Sequence, residues 1–167
     1  MGEGFAAIGQ LLFAGLAIGS VYAMVALGIV LIYRATNVVN FSQGEISMLG
    51  AYMLVTLWQG AQLDYVTAFV LALVVMAVFG LIFELTVYYP LRNRSFLPVI
   101  IATIGASIMM QNGALALFGP SPQKVRPVIE VAGGMGGINL GGVFFDYQYI
   151  VILVVTVTLI GLQHLFF

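Results

Sequence analysis

Nine residues, Asn37 to Glu45, hold the densest polar chemistry in the chain. The stretch NVVNFSQGE offers Asn37, Asn40, Ser42, Gln43 and Glu45 between two apolar runs. Amides, a hydroxyl and a carboxylate at that density suit a solute path, since polar backbone and side chains at membrane depth are tolerated where they line water. The segment they open would then be a broken or re-entrant helix, with Gly44 allowing the bend. The same residues also suit a plain helix start. Ser42 and Glu45 have capping-box spacing, Asn40 can cap one turn earlier, and an acid in the first turn complements the helix dipole.

A second polar set follows helical spacing. Thr103, Ser107, Gln111 and Asn112 recur at intervals of four, four and one, so they share one stripe. Such a stripe turns toward a bundle interior, where it hydrogen-bonds neighbouring helices or lines a path. Ser20 and Tyr22 are the polar groups of an earlier apolar run and face either a partner helix or a path. Glu84 stands before Arg92 and Arg94, so an interfacial ion pair and a substrate contact are both open to it. Gly15 and Gly19 form a small-xxx-small pair; Ala102 and Ala106 do the same beside Gly105, and these positions allow close helix contact. The expected path residues are thus Ser20, Tyr22, Asn40, Ser42, Gln43, Glu45, Thr103, Ser107 and Gln111. Gly15, Gly19, Gly44 and Gly105 are the expected structural or hinge positions.

Other chemistry is excluded by residue type. The only lysine, Lys124, precedes Val125, so no GxxxxGK[ST] loop exists to hold ATP phosphates. One His and no Cys exclude HExxH and zinc-ribbon sites, and no metal or other cofactor is expected. A Ser107–His164 pair would suggest an intramembrane protease. Counting at 1.5 Å per residue, however, puts the two side chains at depths about 10 Å apart, beyond hydrogen-bond reach. His164 reads instead as an interfacial residue, and no catalytic residue is expected.

The elements that position these groups follow from composition. The chain has 167 residues, 62% of them apolar and 7% charged, and a mean hydropathy of +1.14. Soluble domains are closer to a quarter charged. Five Lys and Arg in all cannot follow a nucleic-acid backbone. Charges lie far apart: Gly4–Tyr33, Ile46–Leu63, Tyr65–Phe83, Ser95–Gln123 and Tyr147–Phe167 contain none, with His164 neutral. About 20 apolar residues cross a hydrocarbon core of ~30 Å. The runs therefore predict an all-α integral membrane protein, a polytopic bundle of about five segments near 7–33, 43–60, 65–88, 97–118 and 147–166. Arg34, Arg92 and Arg94 place the loops after the first and third segments in the cytoplasm and the N-terminus outside. With no basic n-region before the first run, that run is expected to be retained as a membrane segment.

Residues 119–146 differ in kind. Pro120, Pro122 and Pro127 precede six glycines between Gly133 and Gly142. Val128–Val131 and Val143–Phe145 are expected to form a short hairpin in this extracytoplasmic linker. Trp58, Tyr65, Tyr88, Tyr89, Tyr147 and Tyr149 fall near segment ends, as interfacial aromatics do.

Two blocks carry a family resemblance. GLAIGSVYAMVALGIVLIYRATNVVNFSQGEISMLGAY, Gly15 to Tyr52, resembles the permease subunits of bacterial ABC importers for branched-chain amino acids. It shares their YA(L/M)xALG run at Tyr22–Gly28 and their NFAxGExxMLGAY run at Asn40–Tyr52, with Ser42 where Ala is usual. YYPLRNRSFLPVIIATIGASIMMQN resembles the family's RPLR and ATIGxSxxLQ stretch, with Tyr89 for the first Arg and Met110 for Leu. The resemblance implies a single transmembrane permease domain over 1–167, truncated at its C-terminus, since family members continue with further helices and a cytoplasmic loop that engages the ATPase. It implies a second homologous permease subunit, cytoplasmic ATPase subunits and a periplasmic or lipid-anchored solute-binding protein as partners, with membrane lipid around them and no nucleic acid. It places the chain in the inner membrane as a transport subunit without its own ATPase site. A urea or short-amide permease shares the same blocks. A proton-coupled carrier using Glu45 and Glu84, or a purely structural subunit, remains as another class of function.

Overall fold

Run length sets the first helix. The computed structural model describes residues 2–123, 125, 130–131, 134–140 and 143–166. Helix α1 covers Gly2–Thr36, 35 residues with Arg34 in its last turn, where a cation complements the carbonyl end of the dipole. It stops at Asn37, which adopts the left-handed conformation at φ 57°. The Asn37 N–H donates to the Tyr33 carbonyl at 2.7 Å, the closing bond of an αL cap.

Helix α2, Gln43–Val55, continues into a π-wound turn at Thr56–Gly60. Helix α3, Tyr65–Phe83, begins at Asp64, whose carboxylate accepts from the Val66 N–H at 3.1 Å. It too ends in π winding, Glu84–Tyr88, followed by a single 3-10 turn, Tyr89–Leu91, that contains Pro90. Helix α4, Phe96–Phe118, ends at Gly119, whose φ of 77° suits a residue without a Cβ. Helix α5 covers Tyr147–Phe166.

Among the described residues four helices are long and apolar enough to cross a membrane: Ala7–Thr36, Tyr65–Leu91, Phe96–Phe118 and Tyr147–Leu165. They match four of the five expected segments. The fifth, 43–60, is helical but falls short of that mark, because Gln43 and Glu45 occupy its first turn. Its winding changes at Thr56 and is nowhere interrupted, so the break in the chain lies before α2, at 37–42, rather than inside it.

The linker forms two short antiparallel pairs. Strand β1, Glu130–Val131, pairs with β2, Gly134–Met135, and β3, Gly137–Leu140, pairs with β4, Val143–Asp146. The expected hairpin is thereby corrected. Val143–Phe145 does pair, but with Leu140, Asn139 and Ile138. The pairing stays local because two strands a few residues apart close with less loss of chain entropy than two a dozen apart. Val128 lies outside the described residues, as do Lys124 and Arg126.

Contacts group the chain into two compact units, Met1–Leu27 with Arg126–Phe167, and Gly28–Val125. In the first unit, Phe13 meets Phe145 edge-on with centroids 4.8 Å apart, and Asp146 accepts from the Gln148 N–H at 2.8 Å to start α5. In the second, α2 packs on both α3 and α4. Its interior is made of small groups: Ala68 and Ala72 on α3, and Ala106 and Ala114 with Val99, Thr103 and Met110 on α4. Large apolar side chains point outward, with Leu117 80% exposed. That inversion fits helices whose surroundings are lipid.

Candidate functional site

The turn between α1 and α2 is held by Asn40. Its Oδ1 accepts from the Ser42 N–H at 3.0 Å and from the Ser42 hydroxyl at 2.6 Å. This Asx turn corrects the capping-box expectation. Ser42 occupies the N-cap position and is fully buried, yet its side chain bonds no helix N–H and turns instead to the Asn40 oxygen. Asn40, expected to cap one turn earlier, bonds no N–H of α2 either and instead fixes Ser42 just before the helix.

Glu45 is freed from capping and reaches another helix. Its Oε1 accepts from Gln111 Nε2 at 2.7 Å, joining the first turn of α2 to the middle of α4. Ser107, one turn before Gln111, also interacts with this carboxylate. Three expected path residues thus meet at one contact. Asn112 turns away and donates to the Ile108 carbonyl at 2.7 Å.

Gln43 enters from the same turn of α2. Its amide lies against Gly28 of α1, where a Cβ would come within 2.6 Å of Nε2. A side chain at 28 would therefore push that amide aside. Gln43 Oε1 is buried and has no hydrogen-bond partner among the described residues. A buried carbonyl oxygen left unpaired costs about 1–3 kcal/mol, so its retention asks for a reason.

That amide opens on a cleft of about 390 Å³, within the size range of small-molecule sites. Asn40, Gln43, Glu84, Tyr88 and Thr103 supply its polar groups, and Ile32, Val39, Ile46, Phe83 and Val99 its apolar walls. Two of its positioning devices are hydrogen bonds to backbone. The Tyr88 hydroxyl donates to the Thr36 carbonyl at 3.2 Å, tying the π turn of α3 to the end of α1. Buried Thr103 donates to the Ile100 carbonyl at 2.9 Å. Winding to π at Glu84 sets the faces of Glu84 and Tyr88 toward this cleft; π turns inside helices recur at functional sites. Arg92 is not drawn back to Glu84. Its guanidinium lies 4.0 Å above the Tyr89 ring.

The remaining expected residues lie apart from these contacts. Ser20 and Tyr22 belong to the first unit. The Ser20 hydroxyl donates to the Leu16 carbonyl one turn back at 2.9 Å, and Tyr22 is 73% exposed. At Gly15, Gly19, Gly44 and Gly105 no atom lies within 4 Å of where a Cβ would stand, so the close contact expected of them is not made within the described chain. The close glycine is Gly28, and Glu84 and Tyr88 join the cleft from α3. Only the end of the YAMVALG run marked Gly28 in the sequence.

The comparisons agree with this architecture. The family model for the permease component of branched-chain amino acid transport systems matches residues 11–166. The high-affinity branched-chain amino acid transport system permease protein BraD of Pseudomonas aeruginosa is 35% identical over 156 residues, 88% of this chain and 50% of its own length. The corresponding LivH proteins of Escherichia coli K12 and Salmonella typhimurium are 33% and 32% identical over 120 residues, 67% of this chain and 39% of theirs. The chain thus spans half or less of the length of these relatives. No solved structure matches it. A multi-pass helical membrane chain, matched by the family model over residues 11–166, belongs to the permease components of branched-chain amino acid transport systems.

Proposed function

We propose that this chain is part of the membrane-embedded permease subunit of an ATP-driven importer, carrying branched-chain, hydrophobic amino acids across the inner membrane. The observation that carries the reading is the cleft at the start of α2, where polar side chains from three helices gather against apolar walls inside a chain of this family. Zwitterionic aliphatic solutes need both kinds of surface. The relatives are named as permease proteins of high-affinity branched-chain amino acid transport. Asn40, Ser42, Gln43, Glu45, Thr103, Ser107 and Gln111 are the path residues of this unit, and Ser20 and Tyr22 those of the other. Residues 1–167 act as one permease domain.

Energy comes from elsewhere, since the chain has no phosphate-cradling loop. Cytoplasmic ATPase subunits drive the cycle, and can do so only through contacts that differ between its inward- and outward-open states. A second, similar permease completes the path. A solute-binding protein delivers substrate at the outer face, where β1–β4 form the docking surface. Initial-rate uptake by membrane vesicles holding the intact transporter tests this. Labelled leucine is expected to enter only with ATP, and labelled urea not at all. Leucine uptake that survives ATP removal and collapses with the proton gradient would replace the importer by a proton-coupled carrier.

A further inference from the structure

Acceptors are prominent in the cleft at the start of α2. Its hydroxyls are committed as donors: Thr36 donates to the Ile32 carbonyl at 2.8 Å, Thr103 to Ile100, and Tyr88 to Thr36. Each hydroxyl therefore offers its surroundings only lone pairs. Glu84 adds a carboxylate, and the side-chain amides of Asn40 and Gln43 add N–H donors beside these acceptors. Arg92 is engaged with the Tyr89 ring. A cleft rich in acceptors, carrying one acid and walled by Ile46, Phe83 and Val99, is complementary to a group with several N–H donors and a positive charge on an aliphatic chain.

We infer that this cleft binds the primary ammonium of an aliphatic amino acid, with the Glu84 carboxylate as its counter-ion. The inference rests on the importer reading and deepens it. It assigns the charged end of the solute to Glu84 and its hydrocarbon end to the walls of Ile46, Phe83 and Val99.

The 167 residues contain no cysteine, so a thiol introduced at the cleft is the only one among them. Val39→Cys lies on the wall, and its modification by N-ethylmaleimide is timed in the intact transporter with and without solute. Three solutes of one carbon skeleton separate the charges: leucine, 3-methylbutylamine, which has no carboxylate, and 4-methyl-2-oxopentanoate, which has no ammonium. Leucine and the amine are expected to slow modification, and the oxo acid is not. Adding Glu84→Gln should weaken protection by about tenfold or more, the effect of losing a charged hydrogen bond, and Glu84→Asp should restore part of it. Co-purification of each variant with its partner subunits shows that the fold survives. Equal protection by the oxo acid, or unchanged protection in Glu84→Gln, overturns the site. Leucine uptake by the unsubstituted transporter separates the two readings. Uptake without ammonium-dependent protection removes the site and leaves the importer, whereas neither uptake nor protection removes both.

Discussion

Two cavities along helix α2 differ in their polar side chains. The first, at Gln43 and Ile46, carries Asn40, Glu84, Tyr88 and Thr103. The second, about 280 Å³ and two turns further along α2 at Leu49 and Met53, is walled by Met76, Phe79, Met110 and Phe118 and has no polar side chain. An apolar cavity of this kind stays dry or takes up hydrocarbon, whereas a polar one holds water or a solute. Space between helices is therefore common to both, and the polar groups alone distinguish a binding cleft from a packing gap. Met53, Met76 and Met110 around the second suit adaptable packing, since methionine fills irregular gaps.

The sharpest way to break this comparison is to fill each cavity in turn. Val99→Trp in the polar cleft is expected to reduce leucine uptake to background while the subunit still assembles, as read by vesicle uptake and co-purification. Should uptake persist, the cleft is not on the path. Next in size is the link between α2 and α4. Gln111→Leu strands the Glu45 carboxylate and should lower the stability of the purified complex by about 1–3 kcal/mol. A double-mutant cycle with Glu45→Leu should return a coupling of about 1–2 kcal/mol, near the upper end for interhelical bonds in membranes because the pair is charged and 2.7 Å long. A coupling near zero in thermal unfolding would reduce that bond to a surface contact.

Gly28→Ala produces a smaller and more selective effect. The added methyl displaces the Gln43 amide, so leucine protection in the cleft weakens severalfold, while the helix itself gains about 0.5–1 kcal/mol from losing a glycine. Stability and binding should therefore move in opposite directions. The least effect belongs to the apolar cavity. Gly113→Ala adds a methyl where no atom lies within 4 Å, and it should raise thermal stability slightly and leave uptake unchanged.

Much of the fold was legible because charge spacing reports run length directly. Four uncharged runs became the four long apolar helices, and the polar start of α2 was visible in Gln43 and Glu45. Less of the site was legible, for reasons that particular residues make plain. Ser42 and Glu45 have capping spacing, but spacing cannot reveal that the serine hydroxyl turns to Asn40 or that Gln111, 66 residues away, competes for the acid. The Thr103–Gln111 stripe was correctly placed on α4, yet its members divide between the cleft and the Glu45 contact. Nothing in the types of residues 84–88 announced π winding. Strand register in the linker was missed because glycine-rich segments specify register weakly.

The buried alanines of the second unit reverse the usual map of mutational tolerance. Ala68 and Ala72 on α3, like Ala106 and Ala114 on α4, leave no spare room, so even one extra carbon there, as in Ala72→Val, must wedge its helix away from what covers it. A bulky leucine on the outer face such as Leu117 can be exchanged for isoleucine or phenylalanine with little consequence. In this bundle, sensitivity to substitution tracks how small a residue is.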